Sequence, residues 1–513
     1  MTIERDPAAT GRDAHDGHLQ SLGYEEQFHR SMGLVANFAL GFTYLSPLVG
    51  VYSLFALGLG TAGPPSVWWI VIVGCGQLLV ALVFGEVVSQ YPISGGIYPW
   101  TRRLWGARYA WVAAWVYVWA MIVTITAVAE FGGGFVASLF GLESTPAVGL
   151  ATAVGLLLVA LAFNFSGTHM LSRVARIGLF AELIGVIAVG LYLMLFQRKQ
   201  PFSVFFDSMG TAGSGSYFGA FVAAALTGLF LFYGFEACGD VAEEVDRPGR
   251  RIPLAMVLSI VVGGVSALMS FVGYVLAAPN LAAIVAGTDE DPIPGILRDA
   301  LGTVGQKIFL VVAITAFLSC VLSLQAAASR LMYSFARDQM VPGHQVLGRL
   351  SAAHAVPTNA LLVACLVPLA ICVYIYLEPG ALVPVTAFAV LGIYICFQMV
   401  VLAALRQRLR GWRPAGEFSL GGAGTVVNAL ALAYGLVAIV LLARPGSEGS
   451  FVDRWTSLLG LGVVLVVGLA YLLIARPTRH SRAPQGDARE VAEVLRSRRA
   501  APARDSRGAT PGA

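Results

Sequence analysis

Charge is what this 513-residue chain has least of. Asp, Glu, Lys and Arg together make up 12% of it, against about 25% in an ordinary soluble domain. Lysine stands only at Lys199 and Lys307. So little charge excludes a disordered chain and a nucleic-acid binder. Cysteine is scarce as well. Cys75, Cys238, Cys320, Cys365, Cys372 and Cys396 all lie in apolar runs, and none has metal-ligand spacing with a histidine. They read as small packing residues, with no disulfide framework and no zinc site. No P-loop, nucleophile elbow or metal box is present, so the sequence supports neither ATP-driven work nor an intramembrane enzyme, and it calls for no cofactor. No histidine falls within an apolar run, which removes histidine proton relays. The first 30 residues are polar and show no signal-peptide core before Met32.

What the chain has instead is grease. Hydrophobic residues reach 57% and mean hydropathy is +0.75. A membrane-crossing helix needs about 20 apolar residues, and twelve apolar segments are legible: 32–59, 66–89, 106–135, 147–165, 174–196, 217–238, 253–277, 305–329, 359–377, 380–403, 425–443 and 455–475. They are numbered 1 to 12 below. Segments 1, 3 and 8 are long enough to require tilt or a break. The 58 glycines and 24 prolines fit membrane helices, where both are commoner than in soluble ones. The expected fold is all-α and multi-pass. Its divisions are a tail at 1–31, a core at 32–403, two further helices at 404–475, and a tail at 476–513 that is expected to be disordered apart from a possible short helix near 487–499.

Arginine distribution orients the chain. With alternating spans and a cytoplasmic N-terminus, 27 of the 33 Lys and Arg residues fall on the cytoplasmic side and six outside, as the positive-inside rule requires. The acids Asp289, Glu290, Asp291 and Asp299 fall in an outer, solvated loop.

Two segments are interrupted at matching places. Segment 1 carries Gly41-Phe-Thr-Tyr-Leu-Ser-Pro-Leu-Val-Gly50, and segment 6 carries Phe230-Leu-Phe-Tyr-Gly-Phe-Glu-Ala-Cys-Gly239. Interrupted spans in corresponding positions of two halves are the best pointer to a transporter's binding site. Unwound backbone cannot face lipid and must line a cavity. Half-helix N-termini favour a carboxylate and C-termini a cation, so a zwitterion would use both.

Three motifs then carry a family resemblance. Glu86-Val-Val-Ser-Gln-Tyr-Pro-Ile-Ser-Gly-Gly-Ile-Tyr98 closes segment 2. Gly234-Phe-Glu, followed by Glu243-Glu244 and Pro248-Gly-Arg-Arg-Ile-Pro253, runs out of segment 6. Ser329-Arg-Leu-Met-Tyr-Ser-Phe-Ala-Arg-Asp-Gln-Met-Val-Pro342 follows segment 8. Together they resemble the amino acid–polyamine–organocation (APC) superfamily across about residues 30–475. The Leu45-Ser-Pro-Leu-Val-Gly50 break, where many amino acid permeases have a G-S-G type break, is most similar to the amino acid/choline branch. The resemblance implies a LeuT-type 5+5 inverted repeat with broken helices 1 and 6, plus two extra helices. It implies a secondary transporter importing an amino acid or related amine across the plasma membrane by alternating access, coupled to protons or working by exchange. Its partners would be a small-molecule substrate, lipid and a possible proton or sodium co-ion. The alternatives are a choline or polyamine transporter, a non-transporting amino acid sensor, and a channel. A sensor is expected to carry a longer signalling tail, and no ring of charges supports a channel.

By position, the resemblance places Tyr44, Leu45, Ser46, Pro47, Leu48, Val49, Phe230, Phe232, Tyr233 and Gly234 at the substrate. Trp119 is a further aromatic candidate for a cage around a cation. Acids within spans are functional candidates: Glu130 facing the outer vestibule, Glu182 as a proton carrier in segment 5, and Glu236 at the gate. Glu86 reads as an interface residue. Asp240, Glu243 and Glu244 are expected to form an inner network with Arg247, Arg250 and Arg251. Ser319 and Ser323, on one helical face of segment 8, are weak sodium-site candidates. The specific substrate and the oligomeric state are not readable.

Overall fold

The computed structural model describes residues 18–500 except 144, 212, 214, 290 and 446–449. Glu290 and residues 501–513 therefore lie outside the described residues. Among the described residues, eleven helices are long and apolar enough to cross a membrane. Segments 1 to 5 become Leu34–Ala62, Pro64–Gln90, Ala107–Phe140, Pro146–Phe165 and Thr168–Phe196, and segments 7 to 12 become Pro248–Ala277, Pro292–Arg337, Thr358–Leu377, Leu382–Leu409, Gly421–Leu442 and Arg454–Ala475. Segment 6 is missing from that set because it is broken twice, into Tyr217–Ala223, Ala225–Leu231 and a short turn at Ala237–Asp240.

Burial separates centre from rim. In the most apolar stretch of segment 1, 83% of residues are buried within the protein, against 11% in segment 12. Segment 1 runs through the middle, packed on segments 5, 7 and 8, while segment 12 leans on segments 10 and 3. Ile474 and Leu473 of segment 12 are 83% and 71% exposed. Apolar surface of that kind on a rim helix is the surface lipid covers.

The long segments resolve differently. Segment 1 breaks at Ser46. Segment 3 runs unbroken over 34 residues. Segment 8 is preceded by a further helix that starts at Pro292, the two meeting in a kink at Gly302, whose backbone is not helical (φ 69°). The outer loop is accordingly part helix, with Leu281–Val285 ahead of Pro292. Segment 5 carries a π-helical turn at Ile184–Ala188, just beyond Glu182; such bulges often mark functional positions.

The expected disorder of the C-terminal tail is corrected up to residue 500. Ala488–Ala500 is a helix whose Ala488, Ala492 and Leu495 are buried. The chain before it is tied to the membrane domain. Arg102 donates to the Pro484 and Ala483 carbonyls at 3.2 and 2.8 Å, Gln90 to the Ala488 carbonyl at 3.0 Å, and Arg103 pairs with Asp487. The spacing of three small or apolar residues along one face gives this helix a side to bury.

Candidate functional site

Segment 1 stops being a helix at Ser46 because Pro47 offers no N–H and its ring clashes with the preceding turn. Ser46 adopts φ 42° and ψ 88°, a left-handed conformation that a non-glycine residue holds only where its surroundings enforce it. The enforcing groups are visible. Ser46 Oγ donates to Glu182 Oε1 at 2.7 Å and accepts from Val49 N at 3.2 Å. Leu48 N donates to the same Glu182 oxygen at 2.8 Å, and Gly50 N to the Ser46 carbonyl at 2.9 Å. A carboxylate from segment 5 thus caps the second half of segment 1.

Segment 6 unwinds between Leu231 and Ala237. Gly234 has φ +110°, and a side chain there would meet Leu45 N and the Tyr44 ring within 2.7 Å. Glycine is needed both for its conformation and for close approach to the other break. Glu236 holds this turn: its Oε2 accepts from Gly234 N at 2.7 Å, and its Oε1 accepts from Tyr117 Oη at 2.8 Å. The two broken segments also clasp each other directly, with Asn37 Nδ2 donating to the Cys238 carbonyl at 2.9 Å.

Aromatic rings line the meeting point. Tyr44 and Tyr233 lie edge to face with centroids 6.2 Å apart, Tyr233 and Phe230 at 5.7 Å, and Phe230 and Phe131 at 6.1 Å. Tyr44, Tyr233 and Phe230 are 2–4% exposed, so these rings are shielded from solvent. The Tyr44 hydroxyl has no partner among the described residues.

Not every candidate comes to this point. Phe232 points into a slot between Gly74 of segment 2 and Gly264 of segment 7. Trp119 stacks edge-on against Trp115, whose indole donates to Val464 of segment 12. Trp119 sits two residues from Tyr117, and at 100° per residue that puts it on the far side of the helix. Glu130 lies next to Gly149 of segment 4. Ser323 Oγ meets Thr43 Oγ1 at 2.8 Å, and Ser319 lies against Gly178 of segment 5. Among the described residues no group of three His, Cys, Asp or Glu is arranged to hold a metal.

Sequence reasoning missed Tyr117, Phe131 and Thr43. Tyr117 and Phe131 lie roughly four turns apart on one face of segment 3. That stripe was a usable signal. The contact of Thr43 with Ser323 had none.

The three sequence motifs converge on the face that carries both tails. Ser94 and Glu243 exchange two hydrogen bonds, Ser94 N to Glu243 Oε1 at 3.0 Å and Glu243 N to Ser94 Oγ at 3.1 Å. Arg337 pairs with Glu243 at 3.1 Å and Arg330 with Glu244 at 2.8 Å. Tyr98 donates to Asp338 at 2.8 Å, and Tyr24 of the N-terminal tail donates to the same carboxylate at 3.2 Å. Burial, then the nearby Asp338 charge, pushes the Tyr24 hydroxyl well above its ordinary range, so it stays a donor. This corrects the expected partners. Glu243 and Glu244 pair with arginines of the third motif, while Arg251 pairs with Asp246. Glu86 is held by Arg408 and by Leu420 N at 2.6 Å.

With broken helices, paired acids and three converging motifs in place, the comparison with known proteins is decisive. The model of the family described as "Amino acid permease" matches residues 32–476. The chain belongs to the amino acid permease family. Similar curated proteins include an amino-acid permease BAT1 homolog of Oryza sativa subsp. japonica, 27% identical over 93% of this chain and 98% of its own. Amino-acid permease BAT1 of Arabidopsis thaliana is 25% identical over 84% of this chain and 89% of its own. A choline transporter of Saccharomyces cerevisiae is 24% identical over 66% of this chain and 63% of its own. The protein is a multi-span membrane transporter of the amino acid permease family, not an enzyme.

Proposed function

We propose that this permease is a secondary transporter that imports an amino acid or related amine across the plasma membrane by alternating access, with both termini in the cytoplasm. The observation that carries the reading is the contact of the two breaks, Gly234 against Tyr44 and Leu45, with Glu236 bridging segment 6 to Tyr117 of segment 3. Substrate binds between Tyr44–Val49 and Phe230–Gly234. The paired arginines and acids of the tail-bearing face form the inner gate, and opening it requires Arg330–Glu244 and Arg337–Glu243 to separate. The 27-to-6 distribution of basic residues supports the orientation.

Coupling is to protons or by exchange. Glu182 and Glu236 are buried acids at the breaks with no arginine or lysine among the partners described for them, the situation of proton-carrying acids in transport proteins. The paired Ser323 and Thr43 hydroxyls, 2.8 Å apart, keep oxygen lone pairs for a cation, so the sodium arm of the test decides that co-ion. Uptake into proteoliposomes tests this, using labelled GABA, leucine, choline and putrescine under an acid-outside gradient, with and without sodium. Accumulation that collapses with the proton gradient or requires internal substrate supports the reading. Accumulation that needs sodium alone overturns the coupling. A second reading, carriage of choline or a polyamine, is favoured by the Tyr44, Tyr233 and Phe230 cluster and by the yeast choline transporter among the relatives.

A further inference from the structure

A zwitterionic substrate needs donors for its carboxylate, and in a broken helix those donors are the free N–H groups that begin the second half. In segment 1 they are all taken. Pro47 has none. Leu48 N goes to Glu182 Oε1, Val49 N to Ser46 Oγ, and Gly50 N to the Ser46 carbonyl. The Ser46 hydroxyl also goes to Glu182, while the Tyr44 hydroxyl has no partner among the described residues. In segment 6 the N–H of Gly234 goes to Glu236. At each break one of the protein's own carboxyl groups takes a backbone N–H, Leu48 N at the first and Gly234 N at the second.

The rest of the site is built for positive charge. The half-helices Leu34–Leu45 and Ala225–Leu231 both end at the breaks, so each brings a negative C-terminal end there. Glu182 Oε2 is buried and has no partner among the described residues, and both carboxyl oxygens of Asp240, one turn beyond Glu236, are likewise buried and unpartnered. Tyr44, Tyr233 and Phe230 supply ring faces of the kind that hold ammonium groups.

We propose that this site recognises the cationic group of an organic amine and requires no carboxylate on the substrate. The inference rests on the transporter reading and narrows its substrate class. Glu182 takes the place a substrate carboxylate would occupy at the segment 1 break, and its second oxygen serves as counter-charge to the amine.

Matched pairs of ligands differing by one carboxylate test it. Affinities are measured on the purified, detergent-solubilised full chain by ligand-induced thermal stabilisation, for leucine and isoamylamine, ornithine and putrescine, arginine and agmatine, with choline alongside. The expected result is that at least one amine or choline binds, and that each amine binds as tightly as its amino acid or more tightly. Tenfold tighter binding of an amino acid than of its decarboxylated partner overturns the proposal, as does binding by none of these compounds. Glu182→Gln keeps an oxygen for Leu48 N but removes the charge, and is expected to weaken amine binding tenfold or more; unchanged binding overturns the role of Glu182. Flux separates the two claims. Transport of an amino acid with rejection of its amine sinks this inference and leaves the transporter reading standing. Amine binding without flux of any of the compounds sinks the transporter reading and leaves this one.

Discussion

At the tail-bearing face Glu86, Glu243 and Glu244 meet Arg408, Arg337 and Arg330. At the breaks, Glu182 and Glu236 bind backbone N–H groups and hydroxyls, and Asp240 binds nothing through its side chain among the described residues. All six side chains are buried. Their partners separate two tasks. A buried acid paired with arginine is neutralised in place, and removing one partner leaves a costly uncompensated charge. A buried acid without a cation is costly to keep, and membrane proteins keep such groups where a substrate or proton arrives to meet them.

That contrast can be broken from either side. Arg330→Met should have the largest effect, because it leaves Glu244 buried and unpaired at a cost of about 3–5 kcal/mol. Loss of folded protein is expected in a thermal unfolding assay in detergent, with partial recovery in the double variant Arg330→Met/Glu244→Met. Wild-type stability in the single variant would show that the gate pair is not closed in the folded protein.

Glu236→Gln sharpens the other side. Glutamine retains an acceptor for Tyr117 or Gly234, so the expected stability loss is only about 1–2 kcal/mol. Uptake should nevertheless be abolished, as it should in Tyr233→Ala, while surface expression persists. Normal uptake in both variants would remove segment 6 from the site.

Gly96→Ala probes the joint between the two regions. Gly96 has φ +45°, and a Cβ there would press on the Asp240 carboxylate. Strain of about 1–3 kcal/mol is expected, readable as a lowered melting temperature. The smallest effect belongs to Asp246→Asn. Its partner Arg251 and Asp246 itself are 30% and 45% exposed, so the change should stay within about 1 kcal/mol. A larger loss would mean that exposure does not separate gate pairs from surface pairs.

The sequence carried the local part of this picture. Pro47 and the glycines around Tyr44 and Tyr233 marked both breaks, because helix interruption is written into neighbouring residues. The three motifs marked residues that meet on the tail-bearing face. Pairing across the fold was not written there. Glu243 lies close in sequence to Arg247, Arg250 and Arg251, yet its partner is Arg337, brought in by segment 8. Glu182 was legible as a buried acid, but its bond to the Ser46 break depends on how segments 1 and 5 pack. Phe232 stands beside the segment 6 break and Trp119 in segment 3, both aromatic, but they turn to a glycine slot and to Trp115. The tail helix Ala488–Ala500 matches the short helix legible near 487–499, but the surface it buries against comes from distant segments and was not written there.

The central claim is that substrate crosses through the meeting point of the two breaks. The most direct measurement is uptake of labelled choline, putrescine, leucine and GABA into proteoliposomes holding either the wild-type chain or Glu236→Gln, with protein incorporation matched. The account predicts that at least one of these compounds accumulates in wild-type vesicles and fails to accumulate in Glu236→Gln vesicles. Equal accumulation in both would contradict it.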